Sequence, residues 1–221
     1  MDYLAINKLL IRDKTILQSI INSNDFQDNL LETIVIRKGD RIIQGRIQDI
    51  YIIEEGHIAK IITHNKNVEK NICQAFLGET DVIWSNQFIS DNKISYEPLS
   101  RAVLKKIDAN IFFNVLATHP FFTDVLIEVL NRNEELAELY ARQFQYELQD
   151  RILMLFEQLG TQISPQKFIL PKGLDAHYIA AYCGVSRVSV NRVLREFKEM
   201  KLFEKKDKGI SEFRKYKMVG K

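Results

Sequence analysis

The sequence predicts an α+β fold in which an antiparallel β-roll is followed by a helical and basic C-terminal part. Short runs of β-branched residues, about ten residues apart, occupy residues 33–107, and strands at this spacing are typical of antiparallel rolls and barrels. From about Pro120 the apolar residues recur at helical spacing for roughly 40 residues. The excess of basic over acidic residues lies after this helical segment, so the chain has at least two regions of different character.

The β-roll prediction depends on strand-like runs that alternate with turn-forming residues. Turns are expected at residues 38–40, at Gly45, and at residues 54–56 and 64–67, because Gly, Asn and Asp favour turn conformations. Apolar residues at helical spacing over residues 3–23 predict one or two short helices in front of the roll. The predicted strands are residues 33–36, 41–43, 50–53, 58–62, 71–77, 81–84 and 102–107.

A long helix with Pro120 in its first turn is predicted next, and one of its rows has the spacing of a coiled coil. The row advances in alternating steps of four and three residues, which lets two copies of the helix pair in parallel. A second apolar row, Phe121, Val125 and Leu130, leaves open the alternative that the helix packs on its own domain. The predicted dimer seam is Phe122, Leu126, Val129, Asn133, Leu136 and Tyr140, in which Asn133 either fixes the register or marks the approach of a ligand.

The boundaries of the C-terminal part follow from a second helix and a loop. Residues 144–159 are helical in pattern and end at Gly160, whereas residues 161–174 are polar and contain Pro165 and Pro171, so a loop is expected there. The predicted divisions are a roll with its N-terminal helices at residues 1–118, a long dimerisation helix at 119–142 and a C-terminal domain at 143–221.

Charge is distributed unevenly along the chain. Residues 141–221 hold 16 Lys and Arg against 9 Asp and Glu, whereas residues 1–140 hold 15 against 20, for a net charge of +2. A polyanionic partner for the C-terminal part is one explanation. A basic tail that maintains solubility is the other.

Composition speaks against a membrane or secreted protein. No run of about 18 apolar residues is present, and Met1-Asp2-Tyr3-Leu4 does not begin a signal peptide. Cys73 and Cys183 are far apart in the sequence and have no CxxC partner, which is typical of core thiols in a reducing compartment. A cytoplasmic location is expected.

Two short helices are predicted between residues 175 and 198. Asp175 is a good N-cap for the first, whose buried face would be Ile179 and Ala180. Gly184 falls where this helix ends and the chain turns, because glycine adopts a left-handed conformation without strain, and Ser186 caps the second helix. The core-facing positions of the second helix are Val190, Val193, Leu194 and Phe197.

The opposite face of the second helix is polar and basic. Two helices about a glycine turn place the second in the major groove of DNA, where an arginine binds O6 and N7 of guanine with two hydrogen bonds. An ordinary solvated helix face is the alternative, which the adjoining turn disfavours. The predicted DNA-contacting residues are Ser186, Arg187, Val188, Ser189, Asn191, Arg192 and Arg195 on this helix, His177 on the first helix, and Lys205 and Lys206 beyond them.

Residues 201–210 predict a strand, a turn rich in Lys and a return strand, which together are the wing of a winged helix-turn-helix. Lys205 and Lys206 are placed to neutralise DNA phosphates. Residues 213–217 continue the basic surface.

The chain resembles the Crp/Fnr family of bacterial regulators over nearly its whole length. The helix-turn-helix match is Gly184-Val185-Ser186-Arg187-x-Ser189-Val190-x-Arg192-Val193-Leu194. In the roll, Lys38-Gly39-Asp40, Ile42-Ile43-x-Gly45 and Tyr51-Ile52-Ile53-x-x-Gly56-x-Ile58 are similar to that family's turns and strands. The resemblance implies a cyclic-nucleotide-binding-like roll and a homodimer that binds a near-palindromic site in double-stranded DNA, with RNA polymerase as a further partner.

The resemblance also implies roles for individual residues. Arg187 and Arg192 would read bases, and Ser189 and His177 would contact phosphates or neighbouring bases. Many members carry Glu where this chain has Val188, so the base preference should differ at that position, with a thymine methyl group as the apolar partner.

The roll departs from the nucleotide-binding members of the family. Those members have a Gly-Glu-Leu turn and, soon after it, Arg-Ser/Thr-Ala to hold the cyclic phosphate. Here Gly78-Glu79-Thr80 keeps a fragment, residues 81–98 contain no arginine, Arg101 comes late, and Ala137-Glu138 stand near the place of the adenine-binding Thr-Ser pair. The chain is therefore most similar to the PrfA-like branch, and control by cyclic AMP is not expected. The effector is unknown, and constitutive DNA binding stays open.

Other functions have little support in the sequence. No phosphate-binding loop, zinc-protease motif or nucleophile elbow is present, so we expect no enzyme, metal site or cofactor. The sequence lacks the several N-terminal cysteines that would bind an iron–sulfur cluster. Haem ligation by Cys73 or His57 is disfavoured because such residues are more often part of a hydrophobic core. The remaining alternative is a module that binds a cyclic nucleotide or another small ligand and whose DNA binding is secondary.

Overall fold

The computed structural model describes residues 30–43, 49–64, 71–84, 92–205 and 211–214. The predictions that lie outside the described residues are the helices over residues 3–23, Gly45, most of the turn at residues 64–67, Lys206 and the basic tail after residue 214.

The N-terminal half is a roll of two antiparallel sheets, as predicted. One sheet has the strand order β1-β8-β3-β6 and the other the order β2-β7-β4-β5. The strands are β1 (Glu32–Ile36), β2 (Ile42–Ile43), β3 (Asp49–Glu55), β4 (Ile58–His64), β5 (Asn71–Leu77), β6 (Val82–Ile83), β7 (Asn92–Pro98) and β8 (Ala102–Asp108). Only β7 was not predicted, because its polar residues outnumber its apolar ones.

The roll has a tight glycine turn and a buried apolar interior. Gly56 has a φ of +97°, and a Cβ there would lie 2.7 Å from the carbonyl oxygen of Arg101, so only glycine fits this turn. Ile58, Leu104 and Ala102 are fully buried on the facing sheets. Buried and partly buried residues alternate along the first part of β8, which is the pattern of a strand with one face toward a core.

Three helices connect the roll to the C-terminal part. Helix α1 (Ala109–Thr118) was not predicted, and it begins where the carboxylate of Asp108 accepts hydrogen bonds from the backbone N–H groups of Asn110 and Ile111. The predicted long helix is α2 (Phe122–Gln143), so Pro120 lies in the turn before it rather than in its first turn. Helix α3 (Leu148–Leu159) is four residues shorter than predicted at its start.

Helix α2 packs against the roll through one residue of each of the two predicted rows. Val125 is 1 % exposed and Leu136 is 5 % exposed, and both belong to hydrophobic clusters of the roll. Leu136, which was placed in the predicted dimer seam, is covered by its own chain and so offers no side-chain surface to a second copy; the rest of that seam stays a prediction. Phe121 and Leu130 of the alternative row are exposed.

The C-terminal part contains a small antiparallel sheet with the strand order β11-β12-β10-β9. Its elements are β9 (Thr161–Ser164), β10 (Lys167–Leu170), α4 (Ala176–Cys183), α5 (Arg187–Glu199), β11 (Phe203–Lys205) and β12 (Ser211–Arg214). The loop predicted at residues 161–174 is thus largely a hairpin, since Phe168 and Leu170 are buried on β10, which pairs with β12. None of the helices that the structure describes is both long and apolar enough to cross a membrane.

Candidate nucleic-acid interface

Helix α4 is fixed at its start by the predicted cap. One carboxylate oxygen of Asp175 accepts hydrogen bonds from the backbone N–H groups of His177 and Tyr178, at 2.9 and 3.3 Å. Burial alone would raise the pKa of Asp175, but the hydrogen bonds from Lys38 and from these N–H groups outweigh it and lower that pKa. Ile179 and Ala180 are buried, as predicted.

The turn after α4 has the predicted left-handed glycine. Gly184 has a φ of +68°, and the N–H groups of Gly184 and Val185 both donate to the carbonyl oxygen of Ala180. The carbonyl oxygen of Cys183 accepts a hydrogen bond from Arg151 of α3 at 3.1 Å. The amide of Gln143, at the end of α2, donates to the carbonyl oxygen of Tyr182 at 2.9 Å.

Arg151 and Gln143 were not predicted from the sequence. They satisfy carbonyl groups that the end of a helix leaves without intrahelical partners. The buried position of Gln143, which is 1 % exposed, could not be read from its neighbours in the sequence because its partner is 39 residues away. These two side chains hold the bend between α4 and α5 against the helices in front of it.

Helix α5 is amphipathic and capped as predicted. The hydroxyl oxygen of Ser186 accepts a hydrogen bond from the backbone N–H of Ser189 at 3.1 Å. Val190, Val193 and Phe197 are 0–3 % exposed, and they attach the helix to the core of the C-terminal part. The predicted orientation of the core-facing side is therefore confirmed, with Leu194 partly buried beside it.

The other side of α5 is open to solvent. Val188 is 79 % exposed, which is unusual for an apolar residue on a folded helix and leaves its side chain free to meet a partner. Arg192 and Arg195 form no ion pair with any residue that the structure describes. The exposed side chains of this face are Arg187, Val188, Asn191, Arg192 and Arg195, with Ser186 exposed at the cap and Ser189 partly buried.

His177 and Arg187 connect the two helices. The guanidinium of Arg187 lies 2.8 Å from Nδ1 of His177, and since an arginine side chain only donates, Nδ1 is the acceptor in this contact. His177 is partly buried, and it lies beside the first residue of α5 rather than isolated on α4. The structure therefore brings these two predicted residues together.

The wing is present beside α5. Strands β11 and β12 pair antiparallel, with Lys205 opposite Ser211. Lys205 is exposed at the end of β11, while Lys206 lies outside the described residues. The end of β11 and the outer face of α5 thus both carry exposed lysine or arginine side chains, which are the charges that a nucleic-acid backbone attracts.

The C-terminal part is packed against the roll. One hydrophobic cluster includes Cys73, Phe76 and Leu99 of the roll together with residues of α3, α4 and α5. The rings of Phe76 and Tyr182 are 5.5 Å apart between centroids. Gly173 has a φ of +88°, and a Cβ there would lie 1.8 Å from the carbonyl oxygen of Leu99, so no other residue permits this close approach.

An ion pair strengthens the same contact. The amine of Lys38, in a turn of the roll, lies 3.0 Å from Oδ2 of Asp175. The second oxygen of Asp175 caps α4, so one carboxylate connects the roll to the start of the helix-turn-helix. The roll and the helix-turn-helix thus have a defined mutual orientation.

The groups that would hold a cyclic phosphate are engaged elsewhere. Arg101 is exposed and pairs with Glu55 at 2.7 Å, and Glu79 is exposed in the turn after β5. Arg132 of α2 binds the buried carboxylate of Asp81, with Nε 2.8 Å from Oδ1.

Burial raises the pKa of Cys183 to about 12 and that of Cys73 well above its ordinary value, so both are protonated thiols in the core.

Comparisons with known proteins agree with this architecture. Residues 178–203, which span α4, α5 and the start of β11, match the model of the family described as bacterial regulatory proteins, crp family. A cyclic nucleotide-binding domain containing protein from Listeria monocytogenes EGD-e has a TM-score of 0.68 at 22 % identity, over 90 % of this chain and 97 % of that one. Comparison with the curated proteins gives no significant match.

Further solved structures have the same fold. A variant of CooA from Carboxydothermus hydrogenoformans has a TM-score of 0.68 at 18 % identity, over 94 % of both chains. A putative transcriptional regulator of the crp/fnr family from Eubacterium rectale ATCC 33656 has a TM-score of 0.63 at 16 % identity, over 93 % of this chain and 96 % of that one.

The fold and the exposed face of α5 define a DNA-binding transcription regulator with a roll in front of a winged helix-turn-helix. The match over the helix-turn-helix and the shared fold of the whole chain confirm the resemblance to the Crp/Fnr family that the sequence predicted.

Proposed function

We propose that the chain acts as a homodimer that reads a near-palindromic DNA site by inserting α5 into the major groove. The observation that carries the proposal is the division of α5 into a buried face, which fixes the helix, and an exposed face on which Arg192 and Arg195 form no ion pair with any described residue. Two such helices one helical turn apart on DNA, about 34 Å, would meet equivalent half-sites.

Individual contacts follow from the chemistry of each side chain. Arg187 and Arg192 would bind the O6 and N7 atoms of guanine, and Val188 would pack on a thymine methyl group. Ser189 lies in the first turn of α5 and His177 of α4 lies beside it, where phosphates would approach a helix N-terminus. Lys205, and Lys206 beyond it, would bind phosphates without regard to sequence.

The dimer seam we propose differs from the one predicted from the sequence. Since Leu136 faces the roll, the row available to a second copy advances from Leu126 in alternating steps of four and three residues, which is again a coiled-coil spacing. Leu130 is 55 % exposed and Phe144 is 46 % exposed, both large for apolar side chains. The proposed seam is Leu126, Leu130, Asn133, Ala137, Tyr140 and Phe144.

Control by cyclic AMP is not part of the proposal. A cyclic phosphate needs a guanidinium or several backbone N–H groups, and both Arg101 and Arg132 are held by carboxylates. A ligand-binding module without a DNA function would leave the exposed face of α5 unexplained. Action in the bacterial cytoplasm and contact with RNA polymerase are expected of such a regulator.

The test is selection of DNA sequences from a random pool by the full chain, followed by fluorescence anisotropy on the selected site. Arg187→Ala and Arg192→Ala should each weaken binding by about 1–3 kcal/mol and relax the preference at one base pair of each half-site. Lys93→Ala is the matched control, because it removes one positive charge from an exposed position on β7 of the roll. Selection of no common sequence, or equal losses with all three variants, would refute the proposal.

A further inference from the structure

Arg187 differs from the other proposed base-reading side chain, Arg192, because a second side chain holds it. Nη2 of Arg187 lies 2.8 Å from Nδ1 of His177, and the arginine is the donor. The side chain of Arg192 has no such partner among the residues that the structure describes. Both arginines are exposed, and an exposed arginine samples many rotamers unless a contact restrains it.

His177 is itself anchored on helix α4. Its backbone N–H donates to the capping carboxylate of Asp175 at 2.9 Å. Its ring lies against that of Tyr178, with 5.4 Å between the centroids, and Tyr178 is 5 % exposed. The imidazole is therefore supported by a buried residue on one side, while its Nδ1 meets the first residue of α5.

The hydrogen bond to His177 leaves Arg187 able to read a base. A guanidinium has five N–H donors in a fixed planar arrangement, and the imidazole accepts from only one of them. Two of the remaining donors are enough to bind O6 and N7 of guanine. The same contact thus restrains the side chain without occupying the groups that recognition needs.

The restraint would affect specificity as well as affinity. A free arginine at this position could turn to a DNA phosphate, and a phosphate contact carries no sequence information. A free side chain would also lose rotamer entropy when DNA fixes it, whereas a side chain that is already held loses less. The restraint therefore favours the guanine contact over the phosphate contact.

A direct phosphate contact is the alternative role for His177. In that role its loss would weaken binding to all DNA sequences alike, and the effect would not depend on Arg187. The hydrogen bond at 2.8 Å favours the positioning role, because it ties the imidazole to the arginine before DNA is present.

We propose that His177 is a positioning residue that holds Arg187 in the orientation that reads guanine. This inference rests on the proposed function, since it concerns one base pair of the half-site that α5 would read. It requires that the contributions of the two side chains to base preference are coupled.

The test uses the full chain and the DNA site that it selects from a random pool. The base pair read by Arg187 is the one at which Arg187→Ala loses its preference, and fluorescence anisotropy compares the selected site with sites changed at that pair or elsewhere. His177→Leu removes the acceptor, whereas His177→Asn places a carbonyl oxygen near the position of Nδ1. His119→Leu is the matched control, because His119 is also partly buried and its Nδ1 accepts a hydrogen bond from the N–H of Phe121.

We expect His177→Leu to reduce the preference for guanine at that base pair by about three- to tenfold and to leave the preferences elsewhere unchanged. His177→Asn should retain most of the preference, and His119→Leu should retain all of it. In an Arg187→Ala background, His177→Leu should have no further effect on preference. The inference is overturned if His177→Leu weakens all sequences alike, if His177→Asn loses as much preference, or if the loss is independent of Arg187.

A measurement on the unsubstituted protein does not depend on how the variants fold. Nitrogen-15 NMR of the histidine rings at neutral pH distinguishes a ring nitrogen that carries a proton from one that accepts a hydrogen bond. We expect Nδ1 of His177 to be the acceptor in the DNA-free chain. A proton on that nitrogen would overturn the inference.

Failure of this inference is distinguishable from failure of the proposed function. Selection of no common DNA site, or of a site at which Arg187→Ala has no effect, would overturn both. A selected site whose base preference depends on Arg187 but not on His177 would leave the proposed function and overturn only the positioning role.

Discussion

Replacement of Asp175 tests how the helix-turn-helix is held. Asp175→Ala removes two hydrogen bonds that cap α4 and also the contact with Lys38 at 3.0 Å. Loss of an N-cap costs about 0.5–2 kcal/mol. The side chains of Lys38 and Asp175 are 55 % and 43 % exposed, so their pair adds only about 0.2–1 kcal/mol. We therefore expect a loss of about 1–2 kcal/mol in the free energy of unfolding, most of it from the cap.

Two further variants separate the cap from the ion pair. Asp175→Asn keeps a capping oxygen and removes the charge, and Lys38→Met removes the ion pair alone, so each should cost less than about 1 kcal/mol. Urea unfolding of the four proteins gives the values, and in a thermal scan Asp175→Ala should lower the midpoint by about 3 °C per kcal/mol. Equal losses for Asp175→Asn and Asp175→Ala would refute the assignment of the stability to the cap.

The pH dependence of the same variants has a definite sign. The pKa of Asp175 is lower in the folded chain than its ordinary value of 3.8, so its charge stabilises the fold above that value, and this contribution disappears as the pH falls through the folded pKa. The difference between the wild type and Asp175→Asn should thus be present at neutral pH and vanish in stronger acid. A difference that grows toward acid would contradict the direction of the shift.

Four more substitutions test other features. Leu136→Ala should lower the free energy of unfolding by about 2–5 kcal/mol, because it opens a cavity beside the roll. Leu130→Ala should leave the protomer stable and shift the sedimentation equilibrium toward monomer. Equal effects of the two variants on stability would contradict the orientation of α2. Gly184→Ala should cost about 1–2 kcal/mol in unfolding free energy, because an alanine at a φ of +68° is strained, and no loss in denaturant unfolding would exclude that strain. Val188→Glu should leave the unfolding midpoint unchanged and alter the DNA sequences selected, and an unchanged selection would mean that residue 188 does not face the bases.

Features set by neighbouring residues were predictable from the sequence. The caps at Asp175 and Ser186 and the left-handed Gly184 each involve partners within a few positions. The strands of the roll likewise have turn residues at their ends. For these elements the chemistry of a short segment determines the conformation.

Features set by distant partners were not predictable. The hairpin β9–β10 forms because Phe168 and Leu170 meet β12, more than 40 residues further on, although Pro165 and Pro171 make the segment resemble a loop. The spacing along α2 indicated a seam but not which of two adjacent rows faces the roll. Leu136 and Leu130 are equivalent in the sequence, and only packing distinguishes them.

Phe144 lies between the end of α2 and the bend of the helix-turn-helix. Its ring packs edge-on to Tyr140 at 5.2 Å, lies under the guanidinium of Arg151 at 5.4 Å, and borders the space beside Gly184. In the proposed dimer, a small rotation of one copy of α2 against the other would move this ring against the bend between α4 and α5. A change where the two copies meet would then reach α5 through this aromatic side chain, and a substitution that shrinks the ring would weaken that connection.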